Sequence, residues 1–192
     1  MGQTTVKVVG DQRRVDYQVT DEVLAAKIFT NLQNHATLGQ LVIWAYVFEG
    51  HVFLIGEKTR PEDEVNAEAM VRAMEGVRSV EVYLLDKKGE TFEGVSQDMM
   101  VTARVKAAIF QDPELVYGRF AFKTMQNHVF IMGVVASQQE ADRALSVVGQ
   151  AVNTRKIISL LLVREENNLR RAVNQRSLLP LGPMSVPLRQ HR

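Results

Sequence analysis

The sequence predicts an α+β fold: two αββαβ modules, each a three-stranded mixed sheet packed against two helices. Three observations carry this reading. The hexapeptide His51-Val52-Phe53-Leu54-Ile55-Gly56 returns 77 positions later as His128-Val129-Phe130-Ile131-Met132-Gly133. The same offset carries Asp21 onto Asp98, Leu24 onto Val101, Lys27 onto Arg104, Ile28 onto Val105, Leu32 onto Ile109, Gly50 onto Asn127 and Ala67 onto Ala144, with no gap. Within each copy, apolar residues pass from helical spacing to short β-branched and aromatic runs, and then do so again.

In the first copy Asp21 is placed near a helix start, where a carboxylate complements exposed amides and the positive end of the dipole. The helix runs to about Asn34, with Leu24, Ile28 and Leu32 as its buried stripe. A strand from Leu41 to Phe48, a tight turn at Glu49-Gly50 and a strand from His51 to Ile55 make a hairpin. Pro61 opens a second helix, on which Ala67, Met70, Val71 and Met74 follow i, i+3, i+4, i+7 spacing, and Gly76 ends it. Val80 to Leu85 is the third strand.

The second copy repeats this order: a helix from Asp98 to Phe110, strands near Arg119–Met125 and His128–Met132, a helix built on Ala144, Val147, Val148 and Ala151, and a strand from Ile157 to Val163. The organisation expected is an N-terminal segment 1–19, a first module 20–86, a linker 87–97, a second module 98–165, and a basic, mostly disordered tail 166–192. Both faces of the first hairpin are apolar, since Val42, Trp44, Tyr46 and Phe48 alternate with Ile43, Ala45 and Val47. One face covers its own helices, and packing between modules is the expected cover for the other, with self-association as the alternative.

Composition narrows the function. The 192 residues carry a formal net charge of +1, but after Glu166 there are no acids and five arginines, so the preceding chain is near −4. Attraction to anionic surfaces therefore rests on local patches or on the tail. Cysteine is absent, which excludes disulfides, thiolate metal sites and cysteine nucleophiles. No apolar run reaches membrane-spanning length, and residues 1–20 lack the apolar core of a signal peptide. Those features fit either a cytoplasmic protein or one from which a processed segment has been removed.

The sharpest functional signal lies on the helix from Asp98 to Phe110. Val101, Val105, Ala108 and Ile109 form its core stripe, yet Met100, Ala103, Ala107 and Phe110 make a second apolar stripe. At about 100° per residue this second stripe lies nearly opposite the core, with Arg104 and Lys106 on its flanks. An apolar ridge bordered by cations suits an interfacial helix, burying its ridge among acyl chains and drawing anionic headgroups to lysine and arginine. Burial of Met100 and Phe110 against the first module or a partner subunit explains the same pattern equally well. The matching positions in the first copy, Val23, Ala26, Thr30 and Gln33, make a far weaker ridge.

No Gly-rich phosphate loop, Gly-x-Ser-x-Gly elbow or His-Glu-x-x-His motif occurs, so no enzymatic activity, cofactor or metal is expected. His51 and His128 sit beside hairpin turns, where a solvated or capping role outweighs metal binding. The acids Glu62, Asp63, Glu64 and Glu68 gather at a helix start, where negative charge is favourable without chemistry. The tail offers Arg170, Arg171 and Arg176 as auxiliary contacts. With no aromatic residue from Asn167 onward for base stacking, nucleic acid is not expected as a partner.

An apolar helix after an acidic position, a Val-x-Leu-x-Gly strand after a hairpin, an Ala-rich second helix and a Val-rich last strand resemble the BON-domain family. Val52-x-Leu54-x-Gly56 and Val129-x-Ile131-x-Gly133 carry that signature in register. The tandem arrangement, with Asp11-Gln12-Arg13-Arg14-Val15 upstream, is similar to the dual-BON lipoproteins of the bacterial envelope. That resemblance implies a non-enzymatic periplasmic protein, associated with the outer membrane and supporting its integrity. It also implies binding of anionic phospholipid through the second module, at Met100, Ala103, Arg104, Lys106, Ala107 and Phe110. A protein-interaction or chaperone-like envelope module, with protein partners or self-association, is the alternative. The sequence departs from the family in lacking a signal peptide and lipid-carrying cysteine, in having Asn153 where Gly is preferred, and in its basic tail. At Met100 the family's lipid-binding helix carries an aromatic residue.

Overall fold

In the computed structural model, residues 12–89, 91–152 and 156–164 are described, with side chains from residue 20. The first module consists of helix α1 (Gln12–Asn34), strands β1 (Ile43–Phe48) and β2 (His51–Lys58), helix α2 (Glu62–Arg72) and strand β3 (Ser79–Asp86). The second consists of α3 (Phe92–Gln111), β4 (Phe120–Met125), β5 (His128–Val135), α4 (Gln138–Val152) and β6 (Lys156–Val163). Each sheet is mixed, with the hairpin antiparallel and the third strand parallel to the central one. The parallel pairing follows from the crossover helix, which returns the chain to the same end of the sheet.

The repeat holds to the level of register. Val52 stands opposite Val47 and Val80, and Val129 opposite Thr124 and Ile157; both valines are fully buried. Side chains alternate along a strand, so Val52 and Leu54 face α1 and α2, while Phe53 and Ile55 face away. That second face meets its counterpart. Phe53 and Ile55 share a core with Met125, Phe130, Met132 and Ile158 of the second module, with Trp44, Tyr46 and Tyr83 packed around them. The rings of Tyr83 and Phe130 meet edge-on at 5.4 Å. The two sheets therefore stack with their helices outside, and inter-module packing is the cover that the two-sided hairpin called for. Arg164 pairs with Glu49, and Gln126 Nε2 donates to Glu57 Oε1 at 2.7 Å, adding polar links around this core.

The glycine of the strand signature has a steric cause. A Cβ on Gly56 would lie 2.2 Å from the backbone oxygen of Val42, and one on Gly133 would lie 2.0 Å from that of Arg119. In both modules the neighbouring strand enters the hairpin against this position, leaving space for hydrogen alone.

Three expectations are corrected. Asp21 is not at a helix start: α1 begins at Gln12, since residues 12–20 contain neither proline nor glycine to interrupt it. Asp21 instead caps the hairpin turn, its carboxylate accepting from the Glu49 N–H at 2.6 Å and the Gly50 N–H at 2.9 Å. Asp98, its repeat equivalent, is likewise inside a helix and buried, because α3 begins at Phe92. Residues 92–97 of the expected linker are thus helical, initiated by Thr91, whose Oγ1 accepts from the Gly94 N–H at 3.1 Å. The second helix ends at Arg72, ahead of Gly76, which takes φ +89° in the following turn. Asn153 and the tail after Arg164 lie outside the described residues.

Candidate functional site

Helix α3 is laid on its sheet by Val105 and Ile109, both fully buried in the second module's core, with Val101 packed beside them. These anchors fix the helix's rotation. Met100, Ala103, Arg104, Lys106, Ala107 and Phe110 all fall on the exposed side, with Met100 61% and Phe110 74% exposed. Neither burial against the first module nor burial against the helix's own sheet occurs. Phe110 meets Tyr117 edge-on at 5.9 Å, which extends the apolar end of the stripe without covering it.

The stripe is longer than the sequence reading drew it. Because α3 starts at Phe92, that ring, 91% exposed, and Met99, 70% exposed, join Ala103 and Phe110 on one face. From Phe92 to Phe110 the helix rises about 27 Å. The missed signal was present: Phe92, Val95 and Met99 follow i, i+3, i+7 spacing, and Thr91 is a good capping residue. The Gly89 and Gly94 of the expected linker masked it.

Arg104 and Lys106 flank the stripe on opposite sides, and neither has an ion-pair partner among the described residues. Beyond Arg104, Arg143 of α4 is bound to Asp112 at 2.9 Å. That hydrogen bond, the charge of Asp112 and then Glu114 push the guanidinium's pKa upward. Arg143 is thereby locally neutralised, and Arg104 supplies the available positive charge on that flank. In the first module the same helical face carries Val23 and Phe29, 49% and 55% exposed, but Ala26, Thr30 and Gln33 interrupt it. Arg170, Arg171 and Arg176 lie outside the described residues.

The polar residues singled out in the sequence have local roles. His51 Nδ1 lies 2.7 Å from Ser79 Oγ, and His128 Nδ1 donates to the Gln126 carbonyl at 2.8 Å. Asp63, in the first turn of α2, is fully buried and clamps the preceding turn, accepting from the backbone amides of Thr59 and Arg60 at 3.0 and 2.9 Å and from both side chains. Burial raises its pKa, but these hydrogen bonds outweigh burial and leave it below the ordinary aspartate value. Its repeat equivalent Glu140 clamps the matching turn, accepting from the Ala136 N–H at 2.7 Å and pairing with Arg119 at 2.8 Å. Among the described residues no group of three or more histidines and acids is placed to share a metal ion.

The family model for the BON domain matches residues 20–85 and again 97–165. This chain belongs to the BON-domain family. It is 26% identical to the outer membrane lipoprotein DolP of Haemophilus influenzae over 83% of this chain and 82% of that protein. It is 28% identical to a 21 kDa hemolysin of Actinobacillus pleuropneumoniae, over 79% and 78% of the two chains. It is 25% identical to the osmotically-inducible protein Y of Escherichia coli, over 73% and 71%. Among the described residues, no helix is long and apolar enough to cross a membrane.

Proposed function

We propose that this BON-domain protein binds anionic phospholipid through the exposed face of α3 and supports the integrity of the bacterial outer membrane from its periplasmic side, without enzymatic chemistry. The carrying observation is the uncovered stripe from Phe92 to Phe110, flanked by Arg104 and Lys106. An apolar strip of that length can settle at the boundary between headgroups and acyl chains, while the two cations meet anionic headgroups. Arg170, Arg171 and Arg176 of the tail are proposed as auxiliary contacts to anionic headgroups. Similarity to a protein named as an outer membrane lipoprotein supports the location.

The test is flotation of the purified full chain with vesicles of anionic or zwitterionic phospholipid. Phe110 and Met100 are 74% and 61% exposed. Scaling the roughly 1.5–3 kcal/mol for burying each side chain by that exposure, together they contribute about 2–4 kcal/mol to insertion. Met100→Asp with Phe110→Asp should therefore lower binding to anionic vesicles at least about 30-fold, with the fold intact because both side chains point away from the core. Arg104→Glu with Lys106→Glu should reverse about 1 kcal/mol of attraction per residue. Raised salt should weaken the wild-type interaction in its electrostatic part. Folded variants that float as tightly as the parent overturn this reading.

A further inference from the structure

Beside α3 lies a second feature, most of whose lining residues stand outside the exposed stripe. A groove of about 790 Å³ opens where β1 of the first module, the chain after β3, α3 and β4 come together. Its size falls within the roughly 300–1,000 Å³ typical of small-molecule sites. Val42 and Trp44 supply one apolar wall, and Val95 and Met99 of α3 supply the other. Val42, Val95 and Met99 are 48%, 41% and 70% exposed, so the walls are open.

Its charges are unequal. Lys87, Lys88, Lys106 and Lys123 line the groove, and among its described lining residues the acids are Glu57 and Asp98. Both acids are less than a tenth exposed, and Glu57 accepts a hydrogen bond from Gln126. Lys123 holds its Nζ 3.7 Å from the centre of the Trp44 ring, spending its charge on the aromatic face. Lys87, Lys88 and Lys106 are exposed. The balance is apolar walls with a cationic rim.

We propose that this inter-module groove holds one single-chain anionic amphiphile, such as a fatty acid or a lysophospholipid anion. Its headgroup lies at Lys87 and Lys88, and its alkyl chain lies between Val42 and Trp44 on one side and Val95 and Met99 on the other. A peptide suits the groove less well, because it would bring a backbone donor and acceptor with every residue to walls that are predominantly apolar. The site goes beyond the adsorption of α3 to a bilayer: it needs both modules and takes a monomeric ligand. It shares Met99, Ala103 and Lys106 with the exposed stripe and its flank, so the test uses groove residues that the stripe lacks.

Trp44 is the only tryptophan in the chain and therefore reports the groove directly. The full-length protein is titrated with dodecyl phosphate below its critical micelle concentration, following Trp44 emission. Dodecylphosphocholine and inorganic phosphate are titrated in parallel. The expected result is a saturable change with dodecyl phosphate, at least tenfold weaker binding of the zwitterionic detergent, and no change with inorganic phosphate. Shorter alkyl phosphates should bind more weakly, by up to about fourfold per methylene removed, the equivalent of about 0.8 kcal/mol per buried CH₂. Val42→Asp, and separately Lys87→Glu with Lys88→Glu, should each weaken dodecyl phosphate at least tenfold. The two lysines lie outside every helix and strand, so the second variant decides the matter should the first not fold.

Met100→Asp with Phe110→Asp should bind dodecyl phosphate like the parent even if it no longer floats with vesicles, which separates failure of the stripe from failure of the groove. Titration without saturation, equal binding of the zwitterionic detergent, a response to inorganic phosphate alone, or unchanged binding in the folded lysine variant overturns the proposal.

Discussion

Replacing Asp21 by alanine tests the structural reason for an acid that the repeat places at the same point in both modules. Its two carboxylate oxygens accept from the successive amides of Glu49 and Gly50, at 2.6 and 2.9 Å. Those two residues hold φ at +53° and +78°, the left-handed pair of a tight hairpin turn. Hydrogen bonds to charged groups contribute about 1.5–3 kcal/mol each, and two would give 3–6. Asp21 is only half-buried, so solvent screening reduces the figure. Asp21→Ala should therefore destabilise the first module by about 2–3 kcal/mol. Asp21→Asn should recover less than half, since its amide offers one acceptor oxygen and turns donors toward the other N–H. Urea unfolding followed by Trp44 fluorescence is the assay, because the tryptophan lies in the same module as the substitution; far-UV circular dichroism tests whether the two modules unfold together. A folded Asp21→Ala protein that loses less than about 0.5 kcal/mol would refute the capping role.

Three further outcomes follow from the same structure. Val52→Ala and Val129→Ala each leave a cavity at a fully buried central-strand position and should cost about 1–3 kcal/mol by chemical denaturation, with similar values expected for the pair because their surroundings repeat. Gly56→Ala places a methyl group 2.2 Å from a backbone oxygen that cannot swing aside, and should lower stability by about 1–3 kcal/mol despite adding apolar volume. Because the folded-state pKa of Asp63 lies below its unfolded value, its contribution is complete above about pH 4 and is lost as the pH falls through the folded value. Asp63→Asn should thus be less stable than the parent at pH 7, and the gap should close toward pH 2 in acid-titrated thermal melts.

The order of elements was legible in the sequence because it rests on local physics. Helical spacing at Leu24, Ile28 and Leu32, β-branched and aromatic runs on either side of Glu49-Gly50, and their ungapped return at 77 residues each require only the chain in order. The exposed stripe on α3 was legible for the same reason. Once Val105 and Ile109 are recognised as core, helical geometry places Met100 and Phe110 on the other side. The extension to Phe92 was not drawn, since Gly89 and Gly94 read as linker, whereas a single glycine in a helix's first turn disturbs little where few intrahelical bonds begin.

Tertiary structure decided the rest. Asp21 had the residue type of a helix cap, and only the fold brings the Glu49-Gly50 turn, 28 residues away, against it. Asp63 belonged to an acidic helix start, and burial in its turn converted a favourable charge into a specific clamp. The sequence alone determined that two alternating, two-sided sheets needed further cover. That they cover each other, with Phe53 and Ile55 against Phe130 and Met132, depends on contacts between residues far apart in the chain, as does the groove between Val42 and Met99. Local periodicity specifies which face of an element is apolar; what meets that face is settled by packing, where many sequence-distant side chains must fit at once.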